Sequence, residues 1–187
     1  TTAIYEKYNA GIYLDSDLKT AMTTSANPIT KPNKTGYTFK GYYTKENGQG
    51  DQIINENGYI TDKMTNTTYT ANATLYAYYT ANTYTVTYNS NGGSGTMAND
   101  TAIYNSNFIT TKNTFARTGY TFNGWNEKTD GTGTVWGLTT SGVYESGKSW
   151  KWTYTKNITL YAQWKVNSYT LTVNPNGGTW NNSTSAS

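Results

Sequence analysis

Hydrophobic and polar residues alternate along most of this chain. In Tyr84-Thr-Val-Thr-Tyr88, residues Tyr84, Val86 and Tyr88 fall on one face and Thr85 and Thr87 on the other. In residues 157–164, Ile158, Leu160, Ala162 and Trp164 share a face, with Thr159, Tyr161 and Gln163 opposite. Tyr120 and Phe122 flank Thr121 in the same way. A side-chain period of two predicts half-buried β-strands. The runs are bounded by Asn47-Gly48, Asn91-Gly92-Gly93, Asp130-Gly131 and Asn176-Gly177-Gly178. Asn and Gly accept the positive φ that tight turns require. Only residues 15–22, Asp-Ser-Asp-Leu-Lys-Thr-Ala-Met, predict a short helix, with Asp15 or Ser16 as its cap; an Ω-type loop is the alternative.

The pattern repeats. Gly36-Tyr-Thr-Phe-Lys-Gly-Tyr42 returns as Gly119-Tyr-Thr-Phe-Asn-Gly-Trp125. Asn72-Ala-Thr-Leu-Tyr-Ala77 returns as Asn157-Ile-Thr-Leu-Tyr-Ala162, at almost the same interval. Tyr84-Thr-Val-Thr-Tyr-Asn-Ser-Asn-Gly-Gly93 returns as Tyr169-Thr-Leu-Thr-Val-Asn-Pro-Asn-Gly-Gly178, at the interval of the second block. Three blocks in fixed order at one period predict tandem copies of one unit. They divide the chain into a first module at 1–83, a second at 84–168 and the opening strand of a third at 169–187. Aligning Tyr5 with Tyr104 gives the first copy an extra segment at about 6–22. The connectors Thr80-Ala-Asn-Thr83 and Lys165-Val-Asn-Ser168 lack Gly and Pro, which predicts stiff junctions and an extended array. The chain reads as a piece of a longer array.

Composition narrows the function. The 187 residues contain no Cys and no His, which removes disulfides, thiolate chemistry and imidazole bases or metal ligands. Charged residues make up 13%, about half the usual share, and the net charge of +3 forms no basic stripe, so no nucleic-acid partner is expected. No apolar run approaches the ~20 residues needed to cross a bilayer, so no membrane insertion is expected. Polarity comes instead from 38 Thr and 23 Asn, suited to strands and turns. In so small a unit, the 19 Tyr and 6 Trp are the expected suppliers of the core.

The Gly92-Gly93-Ser94-Gly95 and Gly131-Thr-Gly133 clusters have neither dinucleotide nor P-loop spacing and read as turns. Asp15 and Asp17 lack the further ligands of a calcium loop. No catalytic, cofactor or metal residues are predicted. Phe39, Phe122, Trp125 and Trp164 read as core. The candidates for ligand binding are Trp150, Trp152, Tyr154 and Tyr161: Trp150, Trp152 and Tyr154 form a row on one face, with no aromatic counterparts to the two tryptophans in the first copy. Tyr76, Tyr78 and Tyr161 stand opposite the Leu75 and Leu160 faces. The same tryptophans read first as a repeat-specific core or an inter-unit contact, and second as a binding patch.

The ordered blocks Tyr-Thr-Val-Thr-Tyr-x-x-Asn-Gly-Gly (84–93), Arg-Thr-Gly-Tyr-Thr-Phe-x-Gly-Trp (117–125), Asp-Gly-x-Gly-Thr (130–134) and Ile-Thr-Leu-Tyr-Ala-Gln-Trp (158–164) resemble the Listeria–Bacteroides repeat, the internalin B-type B repeat. The first copy carries the middle and last blocks, with Tyr42 and Tyr79 in place of the two motif tryptophans. Both units exceed the family's typical length by residues 144–156 and their counterpart. The resemblance implies a mainly β fold of small β-grasp-like modules in tandem, each one repeat interval long. It also implies an extracellular place on a bacterial cell surface or wall, and a spacer or adhesion role without catalysis or cofactor. A host glycan, mucin or surface protein is the partner it suggests. Self-association through sheet edges is a further expectation, with 169–173 as the candidate edge.

Overall fold

The computed structural model describes residues 3–137 and 149–178. Within them the chain forms β1 (Tyr5–Lys7), β2 (Gly11–Tyr13), β3 (Ala21–Met22), β4 (Tyr37–Tyr43), β5 (Gln52–Ile54), β6 (Tyr76–Ala81), β7 (Thr83–Asn89), β8 (Asp100–Ile103), β9 (Asn107–Ile109), β10 (Tyr120–Asn126), β11 (Val135–Trp136), β12 (Ser149–Lys151) and β13 (Ile158–Val166). No α-helix occurs among the described residues; one 3₁₀ turn spans Glu46–Gly48. The strands build sheets of order β1-β2-β3, β5-β4-β6, β12-β9 and β11-β10-β13-β7-β8. By contact the chain separates into two compact units: the described parts of Thr1–Thr87, Asn99–Thr111 and Gly147–Ile158, and of Tyr88–Ala98, Lys112–Ser146 and Thr159–Ser187. These units do not coincide with the sequence period. Of residues 144–156, where the units exceed the usual length, 144–148 lie outside the described residues.

The repeated motif has a repeated cause. Gly36 and Gly119 take φ of +75° and +79°, closing turns in which Tyr37 and Tyr120 donate to the carbonyls of Lys34 and Arg117 (both 3.0 Å). Gly41 and Gly124 take φ of +118° and +112° where the registers of β4 on β6 and of β10 on β13 shift. Each is a β-bulge, where an extra residue kinks the strand. A Cβ on Gly41 would overlap the carbonyl oxygen of Ile54. At Asn91-Gly92 and Asn176-Gly177 both residues have positive φ, and the next glycine donates back to Ser90 and Pro175 (3.0 and 2.9 Å). Two positive φ in succession define the type I′ turn that Asn-Gly favours. Gly93 is needed for a different reason. A Cβ there would come within 2.8 Å of the Trp164 ring, whose indole nitrogen donates to Ser90 O at 2.9 Å.

Residues 15–20 are not helical. They are the loop between β2 and β3, with Leu18 at φ +58°. The two oxygens of Asp15 accept the backbone N–H groups of Lys19 (2.9 Å) and Thr20 (2.7 Å). An Asp that bonds its own backbone favours a turn over a helix. The extra segment therefore adds an antiparallel strand, with Ile12 opposite Met22.

The structure also shifts the alignment of the copies. Asn9 (φ +58°) donates to Asn66 O, and Asn105 (φ +62°) donates to Trp152 O, both at 2.8 Å. Thus Tyr8-Asn9, rather than Tyr5, is the counterpart of Tyr104-Asn105, and the extra residues follow Tyr13.

The two copies fill their interiors differently. The first packs Ile12, Met22, Ile29, Ile53, Ile54, Ile60 and Met64 into one aliphatic cluster, with Tyr42, Tyr69 and Leu75 against it. This corrects the expectation of an aromatic core for that copy: the added strand supplies aliphatic volume. The second copy does rely on aromatics, burying Trp125, Trp136, Trp152, Phe108 and Phe115. Trp125 packs against Tyr88, Phe122 and Phe115 with ring centroids 4.7, 4.9 and 6.0 Å away.

Residues 169–173 form no strand, and Tyr169, Leu171 and Val173 are exposed. Their counterpart β7 is held as a strand by pairing with β8, from Thr83 opposite Ile103 to Val86 opposite Asp100. Residues 169–173 pair with no strand among the described residues.

Candidate functional site

The row of candidate aromatics splits by depth. β12 pairs with β9, setting Trp150 opposite Phe108, the place Met22 takes opposite Ile12 in the first copy. Trp150 is half-buried. Trp152 is fully buried. Its ring meets Phe108 edge-on at 5.2 Å, stacks near Tyr84 at 6.5 Å and tilts against Tyr154 at 5.3 Å. Its indole nitrogen donates to Tyr154 O at 2.9 Å. Trp152 is thus a core residue that no ligand reaches without opening the cluster. Tyr154 is half-buried beside it. Tyr161, also half-buried, lies in the second compact unit, opposite Asn126 in the β10–β13 register.

Asn126 is a residue the alternation pattern does not single out. It is 1% exposed and makes four hydrogen bonds. Its amide donates to Gly131 O and Gly133 O, and its oxygen accepts from Lys128 N and Gly133 N, at 2.8–3.0 Å. The Asp-Gly-Thr-Gly loop is therefore wrapped around one buried side chain. Asp130 accepts from the backbone and hydroxyl of Thr132, which hold its carboxyl below the usual range.

The first copy has a groove that the sequence reading missed. It measures about 840 Å³ and is lined by Tyr5, Glu6, Tyr8, Met64, Tyr69 and Leu75, among others. Tyr5 and Tyr8 are 38% and 57% exposed. The Glu6 carboxylate accepts the backbone N–H of Tyr69 at 3.0 and 3.3 Å. The Tyr69 hydroxyl is buried and has no partner among the described residues. Burial pushes its phenol up first, reinforced by the charges of Asp51 and Glu6. The groove was illegible because Tyr5 and Tyr69 stand at opposite ends of the first copy and no spacing rule joins them.

A third feature recurs at both module ends. Asn82, between β6 and β7, donates its N–H to Gly36 O at 2.9 Å, and its side-chain oxygen accepts from the Thr38 hydroxyl at 2.6 Å. Asn167, just past β13, makes the same two bonds to Gly119 O and Thr121, at 2.9 and 2.6 Å. Each short connector is thus fastened to the Gly-Tyr-Thr-Phe strand of its own copy.

The model of the Listeria–Bacteroides repeat domain matches this chain twice, over residues 2–78 and 84–163. The chain belongs to the Listeria–Bacteroides repeat family. It is 33% identical over 180 residues to Internalin H of Listeria monocytogenes, covering 94% of this chain and 27% of that protein. It is 34% identical over 149 residues to a protein of Evansella cellulosilytica provisionally named a membrane protein, covering 80% of this chain and 19% of that protein. The chain therefore spans well under a third of these relatives. No solved structure matches it significantly. In Listeria–Bacteroides repeat terms, the motif glycines are turn and bulge positions, and the motif tryptophans Trp125 and Trp164 hold the bulge and the Asn-Gly-Gly turn.

Proposed function

We propose that this chain is a non-catalytic repeat region of a bacterial cell-surface protein, with β-grasp-like modules that act as a stiff spacer holding neighbouring parts of the protein off the envelope. The observation that carries this reading is the asparagine latch. Asn82 and Asn167 tie each connector to its own module by two hydrogen bonds, so the connectors lack the freedom of a flexible linker. Family membership and the relationship to Internalin H support the surface location.

Adhesion is the second reading, favoured by the groove beside Tyr69 with Tyr5 and Tyr8 exposed at its wall. A host glycan or mucin sugar would stack on the exposed tyrosines. Trp150, Tyr154 and Tyr161 keep enough exposure to be a weaker alternative surface. Tandem copies would turn weak single contacts into avidity.

Binding to a glycan array and to mucin-coated surfaces separates the two. The spacer reading predicts no saturable binding. Saturable binding abolished by Tyr5→Ala/Tyr8→Ala, with unchanged circular dichroism, would replace it with the adhesin reading.

A further inference from the structure

At the first junction an aromatic knob sits on a glycine. The ring of Tyr104 covers Gly36 so closely that a Cβ on Gly36 would overlap it. Tyr104 meets Tyr37 edge-on at 5.4 Å. The Tyr104 N–H donates to Asn82 O at 2.9 Å, and the Asn105 amide donates to the Tyr37 hydroxyl at 3.2 Å. The Lys34 ammonium lies over the Tyr37 ring at 4.3 Å. Knob and socket come from consecutive repeats: Gly36, Tyr37 and Asn82 from the first, Tyr104 and Asn105 from the second.

The second module rebuilds the socket. Gly119 has φ +79° against +75° at Gly36. Asn167 repeats the bonds of Asn82. The Arg117 guanidinium lies over the Tyr120 ring at 4.0 Å, where Lys34 lies over Tyr37. Yet a Cβ on Gly119 would meet no atom of the described residues within 4 Å. Each socket part has its counterpart, and among the described residues no ring covers Gly119. The first module in turn shows the knob without a socket: Tyr8, 57% exposed, precedes Asn9 in the same left-handed turn as Tyr104-Asn105.

We propose that Gly119 and Tyr120 are the docking socket for the tyrosine–asparagine turn of a following repeat, so that each junction of the array is closed by the same clamp. This deepens the spacer reading and rests on it. Glycine is required at the socket because any side chain would stand where the incoming ring lies. The following repeat is the fitting occupant because its predecessor makes this contact already, and residues 169–178 repeat the segment that leads to Tyr104.

The test replaces residues 169–187 with a further copy of 84–168 and reads hydroxyl-radical labelling of each tyrosine by mass spectrometry. Labelling of Tyr120 is expected to fall several-fold on adding the copy. Tyr104→Ala within the added copy, or Gly119→Leu, should restore it, while Tyr37 stays protected throughout and reports an intact first junction. Equal labelling of Tyr120 with and without the added copy overturns the proposal. If Tyr120 stays labelled while the junction at Asn82 holds its modules at one distance, the clamp fails and the spacer stands.

Discussion

Single residues carry unequal weight here, and hydrogen bonding decides which. Trp125 and Trp152 are both fully buried, but the Trp125 indole nitrogen has no partner among the described residues, whereas Trp152 donates to Tyr154 O. An unpaired buried N–H costs about 1–3 kcal/mol. Trp125→Phe removes that penalty along with some packing, so its net cost should be about 1 kcal/mol. Trp152→Phe loses packing and the indole bond to Tyr154 O, for about 3 kcal/mol. Urea denaturation of the two variants reads the difference, and equal losses would refute this assignment.

Asp15 supplies a pH dependence. The backbone N–H of Lys19, then that of Thr20, hold its carboxyl below the ordinary value. A depressed folded pKa means stabilisation that is complete above the unfolded pKa and lost as pH falls through the folded one. Amide exchange at Lys19 and Thr20, corrected for intrinsic rates, should quicken only below the usual carboxylate range. In Asp15→Asn, exchange should be insensitive to pH in that window.

At the level of strands and turns, the bulge glycine is the position least tolerant of change. Gly41→Ala places a methyl on the Ile54 carbonyl oxygen at φ +118°. Strain of this kind costs about 1–3 kcal/mol before the clash is counted. Gly119→Ala shares a positive φ but its methyl meets no described atom within 4 Å, so the clash alone should make Gly41→Ala unfold several degrees lower in a thermal melt. Equal melting temperatures would show that the bulge does not constrain β4.

The strands themselves were legible. Period-two runs marked β7, β10 and β13, and Asn-Gly pairs marked type I′ turns. The helical alternative for 15–22 failed because Asp-Ser-Asp before Leu looks like a helix cap, and only the fold shows both Asp15 oxygens closing a loop. The aliphatic core of the first copy was hidden because Ile12, Met22, Ile53 and Met64 lie in short segments without a sustained period. The alignment of Tyr104 with Tyr5 followed an identical Thr-Ala-Ile-Tyr string, whereas turn geometry places its counterpart at Tyr8. Of the binding candidates, the pattern did place Trp150 and Trp152 on one face. It could not tell which was enclosed, since that depends on Tyr84 and Phe108 from distant strands.

At the scale of the whole molecule, the proposed spacer requires stiff junctions. Two latches repeated with the same partners and nearly the same distances imply that a connector without Gly or Pro is fixed by hydrogen bonds as well as by its brevity. The absence of Cys from the sequence permits a clean test. Spin labels on Lys63→Cys and Lys128→Cys, both exposed and one in each repeat, report the distance between modules by double electron–electron resonance. A stiff spacer predicts a single narrow distance distribution that broadens in Asn82→Ala. A broad distribution in the unaltered junction, indifferent to Asn82→Ala, would contradict the spacer account.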